Sequence, residues 1–193
     1  GKESVEEERD DARQSICTSR SFAETITDIQ ELSARVSDFA AKCAEKLRHD
    51  GTAAYCINTF LYTNRFREDK PQDFPDATIR LDMPASSTQE VVSAALKALK
   101  LIWKPGFEYK KAGVVVFDIV NRDECQLTLF ETDSAKKEKQ DVLSQVMDNV
   151  NVSSGQNVLR VATQRPGHYA DGIRREHASR LFSTDWNSII EIH

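Results

Sequence analysis

Residues 52–66 read TAAYCINTFLYTNRF and residues 77–83 read ATIRLDM. The first stretch is dense in aromatic and β-branched residues, and the second alternates apolar with polar, so both read as strands. The polar, proline-containing stretch 67–76 between them reads as loop. Upstream, Ile16-Cys17-Thr18-Ser19-Arg20-Ser21-Phe22 reads as another strand. It is followed by apolar residues at Ile29, Leu32, Val36, Phe39, Cys43 and Leu47, whose steps of three and four draw one stripe on a helix. Thr27 and Gln30 have capping-box spacing, and His49-Asp50-Gly51 ends the helix. Downstream, Ser87 and Glu90 form a second capping box ahead of the stripe Val92, Ala95, Leu96, Leu99 and Ile102, and Lys104-Pro105-Gly106 stops it. Tyr109 to Val120 supplies a last strand. Residues 16–121 therefore predict an α+β unit in the order β-α-β-β-α-β, one four-stranded sheet with two helices on one face and the other face free.

The flanks differ in composition. Residues 1–15 read as an acidic flexible leader; positions 1–11 hold six acids and two bases, a net −4 that leaves −1 for the rest of a chain of net charge −5. Residues 122–134 read as a polar linker interrupted by Leu127, Leu129 and Phe130. Residues 135–193 read as a small mixed C-terminal segment. Its helix is expected from about Ser134 to Val150, with the apolar edge Val142, Leu143, Val146, Met147 and Val150, and a short strand follows at Val158 to Ala162. A chain of 193 residues with 39% hydrophobic and 30% charged residues can bury a core. The start at Gly1 without a Met is expected of a piece of a longer protein.

Several function classes find no support. No apolar run approaches the roughly 20 residues that span a bilayer, and no charged-then-apolar leader opens the sequence. Neither GxGxxG nor a Walker loop follows a strand, so no phosphate cradle is expected. Cys17, Cys43, Cys56 and Cys125 form no CxxC pair, and the four histidines have no zinc spacing, so reduced thiols are expected.

The sharpest motif is Gln126-Leu127-Thr128-Leu129-Phe130, set among Arg122, Asp123, Glu124, Glu131 and Asp133. Two leucines and a phenylalanine carried by a solvated segment suit apolar pockets, while the glutamine amide suits a polar rim. The motif resembles the short peptide by which bacterial polymerases and repair proteins attach to the ring-shaped sliding clamp. The preceding unit, with Ser19-Arg20-Ser21-Phe22, Ala44-Glu45-Lys46-Leu47-Arg48, Thr63-Asn64-Arg65-Phe66 and Lys111-Ala112-Gly113-Val114, resembles the little finger domain of the UmuC family. That family comprises catalytic subunits of bacterial DNA polymerase V, a Y-family translesion polymerase. Val146 to Asn151, Leu159-Arg160-Val161-Ala162 and Arg174-Arg175-Glu176-His177 resemble the family's C-terminal extension. The neutral turn Ser153-Ser154-Gly155-Gln156 departs from the glycine-rich basic turn often found there.

The resemblance implies a non-catalytic C-terminal region of an error-prone polymerase acting in SOS damage tolerance in the bacterial cytoplasm. Palm, fingers and thumb are missing, and with them the carboxylates that hold Mg2+ around the incoming nucleotide. No cofactor is expected for these residues themselves. Ser19, Arg20, Ser21, Arg65, Arg80, Lys110 and Lys111 are expected to touch the DNA backbone, since hydroxyls, arginines and lysines position DNA without reading its sequence. Gln126, Leu127, Leu129 and Phe130 would bind the clamp. Arg160, Arg174 and Arg175 belong to a basic stretch of net +3 over residues 159–180, a candidate surface for DNA or for the family's partners, the processed UmuD dimer and RecA. Two other readings stay open: a stand-alone ferredoxin-like RNA-binding module, and a thiol hydrolase using Cys17 or Cys56. Tyr62 and Phe117 form no RNP motif, and neither cysteine has a recognisable catalytic partner in the sequence.

Overall fold

A computed structural model describes residues 15–122, 134–155 and 158–164. Six elements make up the four-stranded unit: β1 (Ser15–Ile26), α1 (Ile29–His49), β2 (Thr52–Thr63), β3 (Asp76–Ala85), α2 (Thr88–Ile102) and β4 (Tyr109–Asn121). A further helix, α3, spans Ser134–Ser154. The four strands form one antiparallel sheet in the order β1-β4-β2-β3, so β2 and β4 are central and β1 and β3 are edges. Both α1 and α2 lie on one face, as expected for this α+β arrangement.

The core is the layer between that face and the helices. Leu32, Val36, Cys43 and Leu47 of α1, Val91, Ala95 and Leu99 of α2, and Ile57, Leu61, Val114 and Val116 of the central strands are all excluded from solvent. Each such leucine, isoleucine or valine contributes roughly 1.5–3 kcal/mol relative to exposure. The buried Thr59 hydroxyl stays satisfied by donating to the Ala95 carbonyl at 3.1 Å.

The helix ends explain their own positions, with one correction. Ser87 caps α2, its Oγ accepting from the Glu90 N–H at 3.3 Å as the capping box predicts, and its hydroxyl also donates to the Glu90 carboxylate at 2.6 Å. The cap of α1 is Asp28, not Thr27: Asp28 Oδ2 accepts from the Glu31 N–H at 3.0 Å. β1 runs on to Ile26, so Thr27 lies outside the helix, where its carbonyl accepts from Trp103 Nε1. A carboxylate at that position also complements the helix dipole. Lys46, Arg48 and His49 stand at the opposite end of α1, and Gly51, at φ 66°, turns the chain into β2.

Three further expectations shift. β1 is longer than residues 16–22: it continues to Ile26 through a register shift between Ser21 and Ile26, and Phe22 and Ile26 both reach the core. α3 extends past Val150 to Ser154. Residues 158–162 are not a strand: Asn151 holds Leu159 through both its amide groups, and Gln164 turns back onto Val161. Those side-chain bonds take the backbone groups that a ladder would need.

α3 docks with its polar side, not its apolar edge. Val142, Leu143 and Val146 are exposed, whereas Ser144 is buried and accepts from the Thr88 N–H at 3.3 Å, adding a second cap to α2. Asp148 takes Arg48 in a two-pronged pair at 2.6 and 2.8 Å, and the same guanidinium donates to the Ser86 carbonyl at 2.6 Å. Arg122 pairs with Asp141, and Gln164 donates to Asp38 at 2.9 Å. Asp141, Ser144, Asp148 and Gln164 thus bond this C-terminal part to the four-stranded unit at several points.

Candidate nucleic-acid interface

Strand register sorts the candidate residues by face. Ser21 pairs with Lys111, Ser19 with Gly113, Cys17 with Val115 and Ser15 with Phe117 across β1 and β4. Tyr62, Phe60, Asn58 and Cys56 of β2 stand opposite Lys111, Gly113, Val115 and Phe117, and Cys56 in turn faces Arg80 of β3. These residues occupy the face that the helices leave open, since directly opposed residues share a side. Arg80 falls between Ile79 and Leu81, which pack on the core, so it points outward as its alternation predicts.

Arg20 does not join them. It pairs with Ala112, a core residue, and so emerges on the helix side of the edge strand. There it lines a cleft of about 760 Å³ with Arg35, Asp38, Lys42 and Arg160. The reading of Ser19, Arg20 and Ser21 as one contact surface overlooked strand alternation: three consecutive residues cannot share a face. Arg160, placed by sequence in the C-terminal segment, lies in the same cleft. Burial pushes the Asp38 carboxyl above its usual range, while Gln164, Arg160, Lys42 and Arg35 oppose that shift. Gln126, Leu127, Leu129, Phe130, Arg174 and Arg175, and Cys125 as well, lie outside the described residues.

The cations of the open face sit on aromatic rings. Lys111 Nζ is 5.9 Å from the Phe60 ring centre, Arg80 is 5.5 Å from that of Tyr55, and Arg65, just past the end of β2, is 5.6 Å from that of Phe74. Such stacking holds a charged head in place with little desolvation. Phe60 in turn lies over Gly113. A Cβ at Gly113 would come within 2.4 Å of the Phe60 ring and 2.5 Å of Ser19 Cβ, so glycine at that point is what lets the ring lie flat. Lys110 donates to the Ala23 carbonyl at 2.7 Å, where β1 and β4 lose register. Arg80 also meets Asp118, 2.9 Å away, and that carboxylate raises the arginine's already high pKa. Sequence reasoning missed Asp118, Tyr55 and Phe60; the FLY run at residues 60–62 held part of the signal.

The two other readings lose ground on geometry. Phe60 packs against Tyr62 at 4.9 Å between ring centres and is nearly buried, which leaves it unavailable as a base-stacking platform. Of the two cysteines the thiol reading named, Cys56 is buried beside Arg80, against nucleophilic use, whereas Cys17 is exposed on the open face opposite Val115. Among the described residues no group of three His, Cys, Asp or Glu could hold a metal ion, and no helix is long and apolar enough to cross a membrane.

Comparison with known sequences follows the same division of the chain. A family profile described as the impB/mucB/samB family C-terminal domain matches residues 13–129. The chain belongs to this family. Within the impB/mucB/samB family it is similar to Protein UmuC of Salmonella typhimurium, 34% identical over 94% of this chain, and to Protein MucB of Escherichia coli, 34% identical over 95%. In each case it spans 42% of the length of that relative. Residues 141–192 match a second profile, described as a domain of unknown function (DUF4113). Among solved structures, a post-insertion binary complex of Dbh DNA polymerase aligns with 55% of this impB/mucB/samB chain and 29% of its own, at 12% identity and a TM-score of 0.45.

Proposed function

We propose that this chain is the C-terminal region of an error-prone, UmuC-like Y-family translesion DNA polymerase. In this reading the open sheet face holds primer–template duplex, and Gln126, Leu127, Leu129 and Phe130 tether the enzyme to the sliding clamp. The observation that carries it is the gathering of Ser19, Ser21, Lys111 and Arg80 on the sheet face that, among the described residues, no helix covers. Hydroxyls and fixed cations of this kind contact phosphates irrespective of sequence, as a polymerase requires. The carboxylates that bind Mg2+ belong to a part of the protein outside these residues, so nucleotidyl transfer is not expected of the chain itself. Its contribution is grip and effective concentration: a weak peptide contact keeps a dissociating polymerase near its primer end. The setting is SOS damage tolerance in the bacterial cytoplasm. The C-terminal arginines Arg160, Arg174 and Arg175 are the candidate surface for the processed UmuD dimer and RecA.

The test is a titration of labelled primer–template duplex with the chain over a salt series. Affinity in the ~10⁻⁴–10⁻⁶ M range, falling with salt and indifferent to sequence, is the expected result. Lys111→Ala should weaken it and flatten the salt dependence by about one contact. A Lys111→Ala variant that binds as wild type, beside an Arg20→Ala variant that does not, would move the interface to the helix-side cleft. For the clamp, Leu129→Ala with Phe130→Ala should abolish binding in calorimetry, since buried anchors can each cost about 2 kcal/mol or more.

A further inference from the structure

Asp118 breaks the pattern of the strand that carries it. Phe117 is on the open face, and in a regular strand Asp118 would point under the helices and Ile119 outward. Instead Asp118 adopts φ 55°, the only positive value at a non-glycine position among the described residues. This conformation turns Ile119 back toward the core and leaves the Asp118 carboxylate on the open side, with Oδ2 2.9 Å from Arg80 Nη1. The left-handed region disfavours most side chains, with Asn and Asp the usual exceptions.

We propose that Asp118 is a built-in competitor that occupies Arg80 until a nucleic-acid phosphate displaces it. The inference rests on the DNA reading of the open face. Asp118 occupies the guanidinium edge that a phosphate oxygen would use, with the same charge sign and the same acceptor chemistry. The pair is poorly suited to holding the fold together: the two side chains are 67% and 43% exposed, and exposed pairs contribute little to stability. That weakness makes it displaceable. Arg80 remains aimed by the Tyr55 ring and by Cys56 Sγ at 3.5 Å, so the head stays in place when its anion is exchanged. The other acid bonded on this face, Asp76, is held by Asn58 at 2.8 Å and meets no cation there. Free protein therefore presents Arg80 already neutralised, which lowers affinity and mutes its salt dependence.

The experiment compares the full chain with Asp118→Asn, Arg80→Gln, the double variant and Asp76→Asn, by anisotropy of labelled primer–template duplex over a salt series. Asparagine tolerates the left-handed conformation, and Asp118→Gly, which adopts it freely, serves as a second variant with thermal melts as the folding check. Asp118→Asn should tighten binding about two- to five-fold, the scale of an exposed ion pair, and steepen the log–log salt slope by about 0.9. The gain should vanish in the Arg80→Gln background, and Asp76→Asn should leave the slope unchanged. An equal gain with or without Arg80 would reduce the effect to general charge, and weaker binding by both Asp118 variants would make Asp118 an orienting partner; either overturns the inference. Should wild type bind and Lys111→Ala weaken it while Asp118→Asn leaves the slope unchanged, the inference falls alone. Absence of salt-dependent duplex binding by every variant removes the DNA reading and this inference with it.

Discussion

Arg48 and Arg80 each face a carboxylate at close range, on opposite sides of one sheet. Arg48 lies on the helix side, 5% exposed, gripped by both oxygens of Asp148 and by the Ser86 carbonyl. Arg80 lies on the open side, in water, with one contact to Asp118. The distances are similar and the energetics are opposite. A buried guanidinium that loses its partner is stranded without solvation, so its pair acts as a latch. An exposed one is rehydrated at once, so its pair can be exchanged. The covered face uses charge to join elements distant in sequence, and the open face keeps charge available.

The largest expected effect tests the latch. Asp148→Ala should destabilise the chain by about 3 kcal/mol in urea unfolding, because Arg48 stays buried and unpaired. Replacing both residues, Arg48→Met with Asp148→Leu, should recover most of that loss, as apolar substitutes of similar volume do. A loss in Asp148→Ala no larger than in Arg80→Gln, which should stay within about 0.5 kcal/mol, would erase the contrast between the faces.

Next in size is Gly113→Ala. Its methyl group would meet the Phe60 ring and Ser19, and overpacking of that kind costs about 1–3 kcal/mol. Tolerance without loss would show the Phe60 ring to be free to move. Smaller again, Asp28→Ala should cost about 1 kcal/mol in thermal or urea unfolding, while Thr27→Ala, lying outside the helix, should cost a few tenths. The reverse ranking would restore the cap that the sequence spacing suggested.

The smallest effect concerns pH. Asp38 has a folded-state pKa raised by burial, so its contribution is fully present below the unfolded carboxylate value and is lost as pH rises through the raised one. The window therefore opens at the ordinary carboxylate range and extends upward. Asp38→Asn, which can still accept from Gln164, should flatten the stability profile across that window and stabilise slightly at neutral pH. A steeper profile in the variant would reverse the sign.

Apolar periodicity carried most of the fold. The α1 stripe from Ile29 to Leu47 and the Ser87–Glu90 box report local physics, a helix with one wet side and a cap with one geometry, and both are visible in a short window of sequence. What stayed hidden was relational. The partner of Arg48 is Asp148, a hundred positions away, and although both lie in stretches that carry the family resemblance, no local pattern pairs them. In α3 the apolar edge was misleading, because Val142, Leu143 and Val146 face outward while Ser144 and Asp148 make the contact. For the interface, outward placement of Arg80 was legible from its two aliphatic neighbours. Arg20 was misplaced because the serines on either side of it suggested a continuous polar surface, while strand parity divides them. Asp118 escaped because nothing in a run such as Val116-Phe117-Asp118-Ile119 announces a left-handed residue.

The double anchoring around residues 123–133 has a mechanical side. Immediately before them Arg122 donates its backbone N–H to the Gly51 carbonyl and its guanidinium to Asp141; after them comes α3, fastened through Ser144 and Asp148. A load applied to this segment is shared between two attachment points rather than borne by one end. The first point continues into the β4 ladder and the second is held by a two-pronged ion pair, so each end rests on more than one bond. On the proposed reading of residues 126–130 as a tether, tension on them would pass directly into the body of the domain.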